Sequence, residues 1–230
     1  MRFSGLQKMT LLDYPGKVAC TLFTSGCNFR CPFCHNASLV TGGQTAVLEE
    51  EEILSFLKKR QGLLDGVAVT GGEPLLHEQL VPFLEKVKAM GYRIKLDTNG
   101  SFPERLEKIV SAGLADRVAM DIKNDPEDYG TAIGLRDPDM DAIGRSREYL
   151  MHCGVEYEFR TTVVRGIHTE ESLIALAKWI SGAKEYYLQQ YKDSGELIAP
   201  EGLGAFNDQE MKNFAEAVRP FVPSVSVRGV

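Results

Sequence analysis

The sequence predicts an α/β protein, a partial (β/α)6 TIM-like barrel of parallel strands with helices on its outer face, and three observations carry that prediction. Six short runs rich in Val, Ile, Thr, Tyr and Phe alternate with six longer stretches of helical spacing, the order that builds parallel strands joined by crossover helices. At 230 residues the chain is shorter than the roughly 250 of an eight-unit barrel, so six units fit better. Polar, glycine-rich sequences follow four consecutive strands, at the ends where such folds place their chemistry. A doubly wound open sheet is the structural alternative.

The elements follow in order. KVACTLFT (17–24) reads as the first strand, and SGCNFRCPFCHN follows it. LEEEEILSFLKKR (48–60) sets Ile53, Leu54 and Leu57 on one helical face behind an acidic start, Glu49 to Glu52, that suits a helix N-terminus. GVAVT (66–70) is the second strand, ending in TGGEP, and HEQLVPFLEKVKAMG (77–91) is a helix with Gly91 as its C-terminal cap. YRIKLDT (92–98) runs into DTNG, FPERLEKIVSAGL returns as helix, and RVAMDI (117–122) leads into DIK. DAIGRSREYLMHCG, EYEFRTTVV (156–164), TEESLIALAKWIS, EYYLQQY (185–191) and NDQEMKNFAEAVRPF complete the series. KDSGELIAPEGLGAFND (192–208), with its Gly and Pro, reads as a flexible loop.

Composition limits the function. With 43% hydrophobic residues the chain can bury a substantial core, and one domain over 1–230 is expected. A net charge of −6 argues against broad binding to nucleic acid or to anionic membrane. The start lacks an apolar h-region, and no uninterrupted apolar run of about 18 residues occurs, so a cytoplasmic address is expected. Five cysteines, three of them clustered, do not resemble a secreted disulfide framework.

Cys27, Cys31 and Cys34 form a C-x3-C-x2-C triplet without a nearby fourth cysteine. Structural zinc wants four Cys or His ligands in a closed tetrahedron. His35 directly follows Cys34 and is poorly placed to complete one. A cubane cluster needs one outside ligand on each of four irons, so three thiolates leave one iron open to a substrate or cofactor. A zinc knuckle and three unligated thiols are the plainer alternatives. Cys20 and Cys153 read as small buried hydrophobes, and Trp179 as core.

CNFRCPFC, with Phe33 before the last cysteine, resembles the signature of radical S-adenosylmethionine enzymes, and GGEP (71–74) resembles their contact to the cofactor's methionine amino group. DYPGK, CHN (34–36), LDTNG (96–100) and DIK (121–123) are similar to landmarks of the glycyl-radical-enzyme activating enzymes. LLDYPGK with GCNFRCPFCHN is most similar to activating proteins of anaerobic ribonucleoside-triphosphate reductase; activators of pyruvate formate-lyase share most of these motifs.

The resemblance implies a partial barrel whose Cys27, Cys31 and Cys34 hold a [4Fe-4S] cluster, with S-adenosylmethionine on the fourth iron. It implies Phe33 and His35 near the adenine, Gly71, Gly72 and Glu73 facing the methionine portion, and Lys123 and Arg160 near the ribose and carboxylate. Asp97, Thr98 and Asp121 correspond to ligands of a monovalent cation. Lys192 stands where the pyruvate formate-lyase activator has a histidine, which changes the local charge. The implied reaction is reductive cleavage of the sulfonium to methionine and a 5′-deoxyadenosyl radical, which takes hydrogen from a glycine Cα of a partner enzyme. A flavodoxin- or ferredoxin-type protein would donate the electron, and the 192–208 loop would gate the partner's glycyl segment. Each motif also has a structural reading. DTNG and TGGEP form turns readily, Asp121 and Lys123 face one side of a strand and suit an ion pair, and Arg160 suits a salt bridge. A radical enzyme acting on a small molecule, such as a deazapurine synthase, is the functional alternative; cysteines for a second cluster are absent.

Overall fold

The structure, a computed structural model, describes residues 1–42, 48–193 and 195–229. Its strands are β1 (Arg2–Phe3), β2 (Gly5–Thr10), β3 (Ala19–Thr24), β4 (Leu48–Glu49), β5 (Gly66–Gly71), β6 (Arg93–Thr98), β7 (Arg117–Asp121), β8 (Glu156–Val163), β9 (Tyr186–Gln190) and β10 (Val225–Arg228). Its α-helices are α1 (Ala37–Val40), α2 (Glu50–Lys59), α3 (Leu80–Ala89), α4 (Pro103–Ser111), α5 (Tyr129–Ile133), α6 (Met140–His152), α7 (Glu170–Trp179) and α8 (Asp208–Val218). All six expected strands and all six expected helices are present. The chain divides into two compact units, residues 1–28 with 38–119, and residues 29–37 with 120–230.

In the first unit β3, β5 and β6 lie side by side in chain order and parallel, with Cys20 opposite Val67 and Val67 opposite Ile94. The β2 strand, which the hydrophobic pattern does not single out, adds antiparallel to β3 with a register shift between Gln7 and Thr10. Leu22, Val67, Val69, Ile94 and Leu96 are completely buried, as are Leu57, Phe83, Leu84 and Val87 of the helices. Burial of such side chains, each worth about 1.5–3 kcal/mol, is what holds strand and helix layers together. Glu49 caps α2 in a reciprocal capping box with Glu52, the use expected of the acidic run. Gly91 takes a left-handed φ of 89° just past α3, and its N–H closes on Lys88 O.

In the second unit β8, β9 and β10 are parallel and again in chain order, Phe159 opposite Tyr186 and Tyr186 opposite Val225. Neither unit reverses its strand order, as a doubly wound sheet does at its switch point. The division cuts β7: Asp116 N–H bonds Ile94 O within the first unit, and Ile122 N–H bonds Arg160 O within the second. Capping boxes start α7 (Thr169 with Ser172) and α8 (Asn207 with Glu210). No helix among the described residues is long and apolar enough to cross a membrane.

Candidate functional site

In the first unit three strand ends converge through their backbones. The turn after β3 is pinned by Gly26 N–H to Leu39 O, and the turn after β5 is stitched onto it by Gly72 N–H to Thr24 O and Glu73 N–H to Gly26 O, at 2.8–2.9 Å. Glycine is required here. A Cβ on Gly72 would stand 1.9 Å from Gly26 O, and Gly71 adopts φ of 111° with Thr24 backbone atoms 2.5 Å from where its Cβ would be.

Glu73 is 1% exposed, and its carboxylate accepts from Leu75 N–H (3.0 Å), Thr98 Oγ1 (2.8 Å) and Asn99 N–H (2.7 Å). It therefore ties the GGEP turn to the DTNG turn after β6. Asn99 completes the link, its Nδ2 reaching Asn28 Oδ1 at 3.0 Å and Cys27 Sγ at 3.8 Å. Asp97 faces Lys95 on the same strand, Nζ to Oδ1 at 2.5 Å.

In the second unit the segment from Phe29 to Ala37 is held at both ends of its turn. Arg30 N–H bonds Ile133 O and Ala199 N–H bonds Pro32 O; Cys34 N–H bonds Cys31 O, folding the two cysteines into one turn. Behind it, Asp121 at the end of β7 takes Arg160 Nε on one oxygen and Lys123 Nζ on the other, both at 2.9 Å. Burial alone would raise the Asp121 carboxyl, but the Arg160 and Lys123 charges outweigh it and hold it well below the usual carboxylate range. Burial likewise opposes the Lys123 ammonium, and Asp121 with Cys31 holds it charged.

The main chain at Lys123 is fixed by two side chains that the motifs do not include. Tyr129 Oη accepts from Lys123 N–H at 3.2 Å. His168, 3% exposed, accepts from Val164 N–H on Nδ1 and donates from Nε2 to Lys123 O. Burial lowers the His168 pKa, and these partners specify the neutral ring. The same imidazole meets the ring of Phe33 edge-on, 6.5 Å between centroids. His35 lies 6.0 Å from the ring of Tyr191; its pKa is lowered by burial and then by the Lys123 charge. Lys192 is exposed just beyond.

Comparison with known proteins identifies the arrangement. A profile described as the Radical SAM superfamily matches residues 21–180, more than half of the chain. The chain belongs to the radical SAM superfamily. A relative provisionally described as a glycyl-radical enzyme activating enzyme, from Methanocaldococcus jannaschii, is 26% identical over 99% of this chain and 95% of its own length. A pyruvate formate-lyase-activating enzyme of Clostridium pasteurianum is 34% identical over 55% of this chain and 54% of its own length. A 7-carboxy-7-deazaguanine synthase of Koribacter versatilis is 38% identical over 40% of this chain and 39% of its own length. Among solved structures, Streptococcus suis SuiB bound to S-adenosylmethionine superposes with a TM-score of 0.71 at 13% identity, covering 90% of this chain and 49% of that one. That likeness extends to the fold.

The superfamily implies a [4Fe-4S] cluster and S-adenosylmethionine, and the donor chemistry of this radical SAM protein fits the cluster. None of Cys27, Cys31 and Cys34 is in a disulfide, Cys27 already receives a polar hydrogen from Asn99, and Cys31 lies close enough to Lys123 to feel its charge. Both features favour the thiolate that iron requires. Among the described residues no three His, Cys, Asp or Glu groups close on one point as a single-ion site requires; a cubane asks instead for one thiolate on each of three irons. Cys20 is fully buried inside β3, and burial pushes its thiol up to about 12, the behaviour of a packing residue. Cys153 is half-buried at the end of α6. The signal for His168 was its position in VVRGIHTE, just past the β8 strand end; that for Tyr191 was its place beside Lys192.

Proposed function

We propose that this radical SAM protein is an activating enzyme that installs a glycyl radical on a partner enzyme. The observation that carries the reading is the end-to-end match to a relative provisionally described as an activating enzyme, 99% of this chain against 95% of the relative, where the deazaguanine synthase is matched over 40%. When bound, the reduced cluster and S-adenosylmethionine supply a 5′-deoxyadenosyl radical, the species that takes hydrogen from a glycine Cα. The chain's own task is to bind, orient and keep dry.

In this reading Cys27, Cys31 and Cys34 hold the cluster, and Phe33 and His35 lie along the adenine. Gly71 and Gly72 offer main chain to the methionine portion, while Glu73 serves by fixing Thr98 and Asn99, since its carboxylate is taken up by them. Lys123 and Arg160 face the ribose and carboxylate, with Lys192 at the margin. The profile match runs through both compact units, which supports treating 1–230 as one functional domain. The 192–208 loop, which bonds Pro32 O from Ala199 N–H, serves as the gate; Ser194 within it lies outside the described residues.

The finer assignment is anaerobic ribonucleoside-triphosphate reductase as partner and a flavodoxin- or ferredoxin-type donor, in the cytoplasm. It rests on LLDYPGK and GCNFRCPFCHN. The test is anaerobic incubation of reconstituted, reduced protein with S-adenosylmethionine and either the reductase or pyruvate formate-lyase, read by electron paramagnetic resonance. A glycyl radical doublet on the reductase supports the reading, and one on the lyase alone transfers it to the other activator class. Turnover of 5′-deoxyadenosine that needs a small molecule and no protein would overturn both.

A further inference from the structure

The resemblance to activating enzymes assigns Asp97, Thr98 and Asp121 to a monovalent cation, and in this chain all three are committed elsewhere. Asp121 holds Arg160 and Lys123 on its two oxygens. Thr98 Oγ1 donates to Glu73 and accepts from Gly100 N–H. Asp97 carries the ammonium of Lys95 at 2.5 Å. So committed, these residues do not fit an added metal cation, and at Asp97 the place is taken by Lys95.

Lys95 is 2% exposed, in the middle of β6. Burying a lysine without a partner costs so much that the group neutralises or the fold opens. Here β-strand alternation puts Lys95 and Asp97 on one face, two residues apart. The register places Ala68 of β5 opposite Lys95, and Ala68, itself fully buried, has a side chain small enough to leave room for the lysine stem. A long cation beside a small neighbour, delivered to the carboxylate at the end of its own strand, is a built-in arrangement.

We infer that the Lys95 ammonium supplies, as part of the chain, the positive charge that a monovalent cation would bring to Asp97, so that S-adenosylmethionine binds without added potassium or sodium. An ammonium and a potassium ion are alike in charge and similar in size. The difference is that the tethered one needs no capture from solution. The inference rests on the radical SAM reading. It predicts something that reading does not, a protein indifferent to which monovalent salt surrounds it.

The experiment uses the reconstituted holoprotein, exchanged anaerobically into potassium, sodium or tetramethylammonium chloride of equal concentration. The S-adenosylmethionine Kd is measured by equilibrium dialysis, and 5′-deoxyadenosine per cluster after photoreduction with a deazaflavin. Wild type should differ by less than about twofold across the salts, well under the tenfold that 1.4 kcal/mol represents. Lys95→Met keeps the stem and deletes the charge. With iron content unchanged, it should bind about tenfold more weakly in tetramethylammonium and recover at least half of that factor in potassium or sodium. A wild type that needs potassium by tenfold or more overturns the inference without any variant. So does a folded, iron-replete Lys95→Met that is indifferent to salt, or one that no alkali cation restores. Formation of 5′-deoxyadenosine by wild type in any salt leaves the enzymatic reading standing whichever way the comparison falls.

Discussion

Replacing Glu73 by Gln tests whether a carboxylate in the GGEP motif acts by holding strand ends together. The substitution keeps the side chain's shape and removes one acceptor. Oε2 serves Asn99 N–H, while Oε1 serves both Leu75 N–H and Thr98 Oγ1. The less costly amide orientation therefore turns its NH2 toward Asn99, setting donor against donor at a site 1% exposed. Losing one charge-assisted bond and leaving a buried N–H unsatisfied costs about 1.5–3 kcal/mol. For 230 residues each kcal/mol moves Tm by about 2–4 °C, so Glu73→Gln should melt about 3–12 °C lower. Thermal melts by circular dichroism on the purified protein read this directly. The variant should also lose iron sooner on anaerobic dialysis, because Asn99 links this carboxylate to Cys27. A Tm within 1 °C of wild type would refute the argument, since it would leave the three bonds with no measurable part in the fold.

Other consequences are as specific. Changing Cys27, Cys31 or Cys34 to Ala should each abolish the cluster, against about four irons and four sulfides per wild-type chain; stoichiometric zinc in the wild type would contradict the assignment. Gly72→Ala should lower Tm by about 5 °C or more, because a Cβ 1.9 Å from Gly26 O forces apart two hydrogen-bonded turns, each lost bond being worth about 1 kcal/mol before strain. His168→Leu should destabilise by about 2–3 kcal/mol, leaving Val164 N–H and Lys123 O without their partner, and His168→Gln should recover part of that in urea midpoints.

Acid stability follows from Asp116. Burial would raise its carboxyl, but Lys88, the Ile94 N–H and Arg93 together lower it. A depressed carboxyl stabilises the fold above its unfolded pKa of about 3.9, and that contribution is lost as pH falls through the folded value. Asp116→Asn should thus be less stable than wild type above about pH 5, and the two urea midpoints should converge as pH drops below about 3.

How much of this was legible in the sequence depends on whether a local pattern or a distant partner carried the information. KVACTLFT, GVAVT and RVAMDI announce buried parallel strands because both faces are apolar, and the observed strands fall within a few residues of them. GLQKMT did not, because β2 is an antiparallel neighbour of β3 whose Gln7, Lys8 and Met9 are exposed, so its pattern is too polar and too broken to read. VSVR is only four residues long and falls below what alternation alone can distinguish from a turn.

At the site the division is the same. Motif residues were visible because spacing carries them, C-x3-C-x2-C above all. The residues that fix the motifs were not, because each works across a long sequence separation. His168 reaches Lys123 over 45 residues, and although Glu73 was visible in GGEP, its bond to Asn99, 26 residues on, was not; no local pattern encodes such pairings. Lys95 shows a third case. Nothing in YRIKLDT singles it out, and only its burial beside Asp97 brings a positive charge to a carboxylate that the resemblance assigns to an ion. The cation expectation came from Asp97, Thr98 and Asp121 alone, and Lys95, which lies outside LDTNG and DIK, already places its ammonium on the Asp97 carboxylate; local spacing names candidate ligands, and burial decides which charge stands beside them.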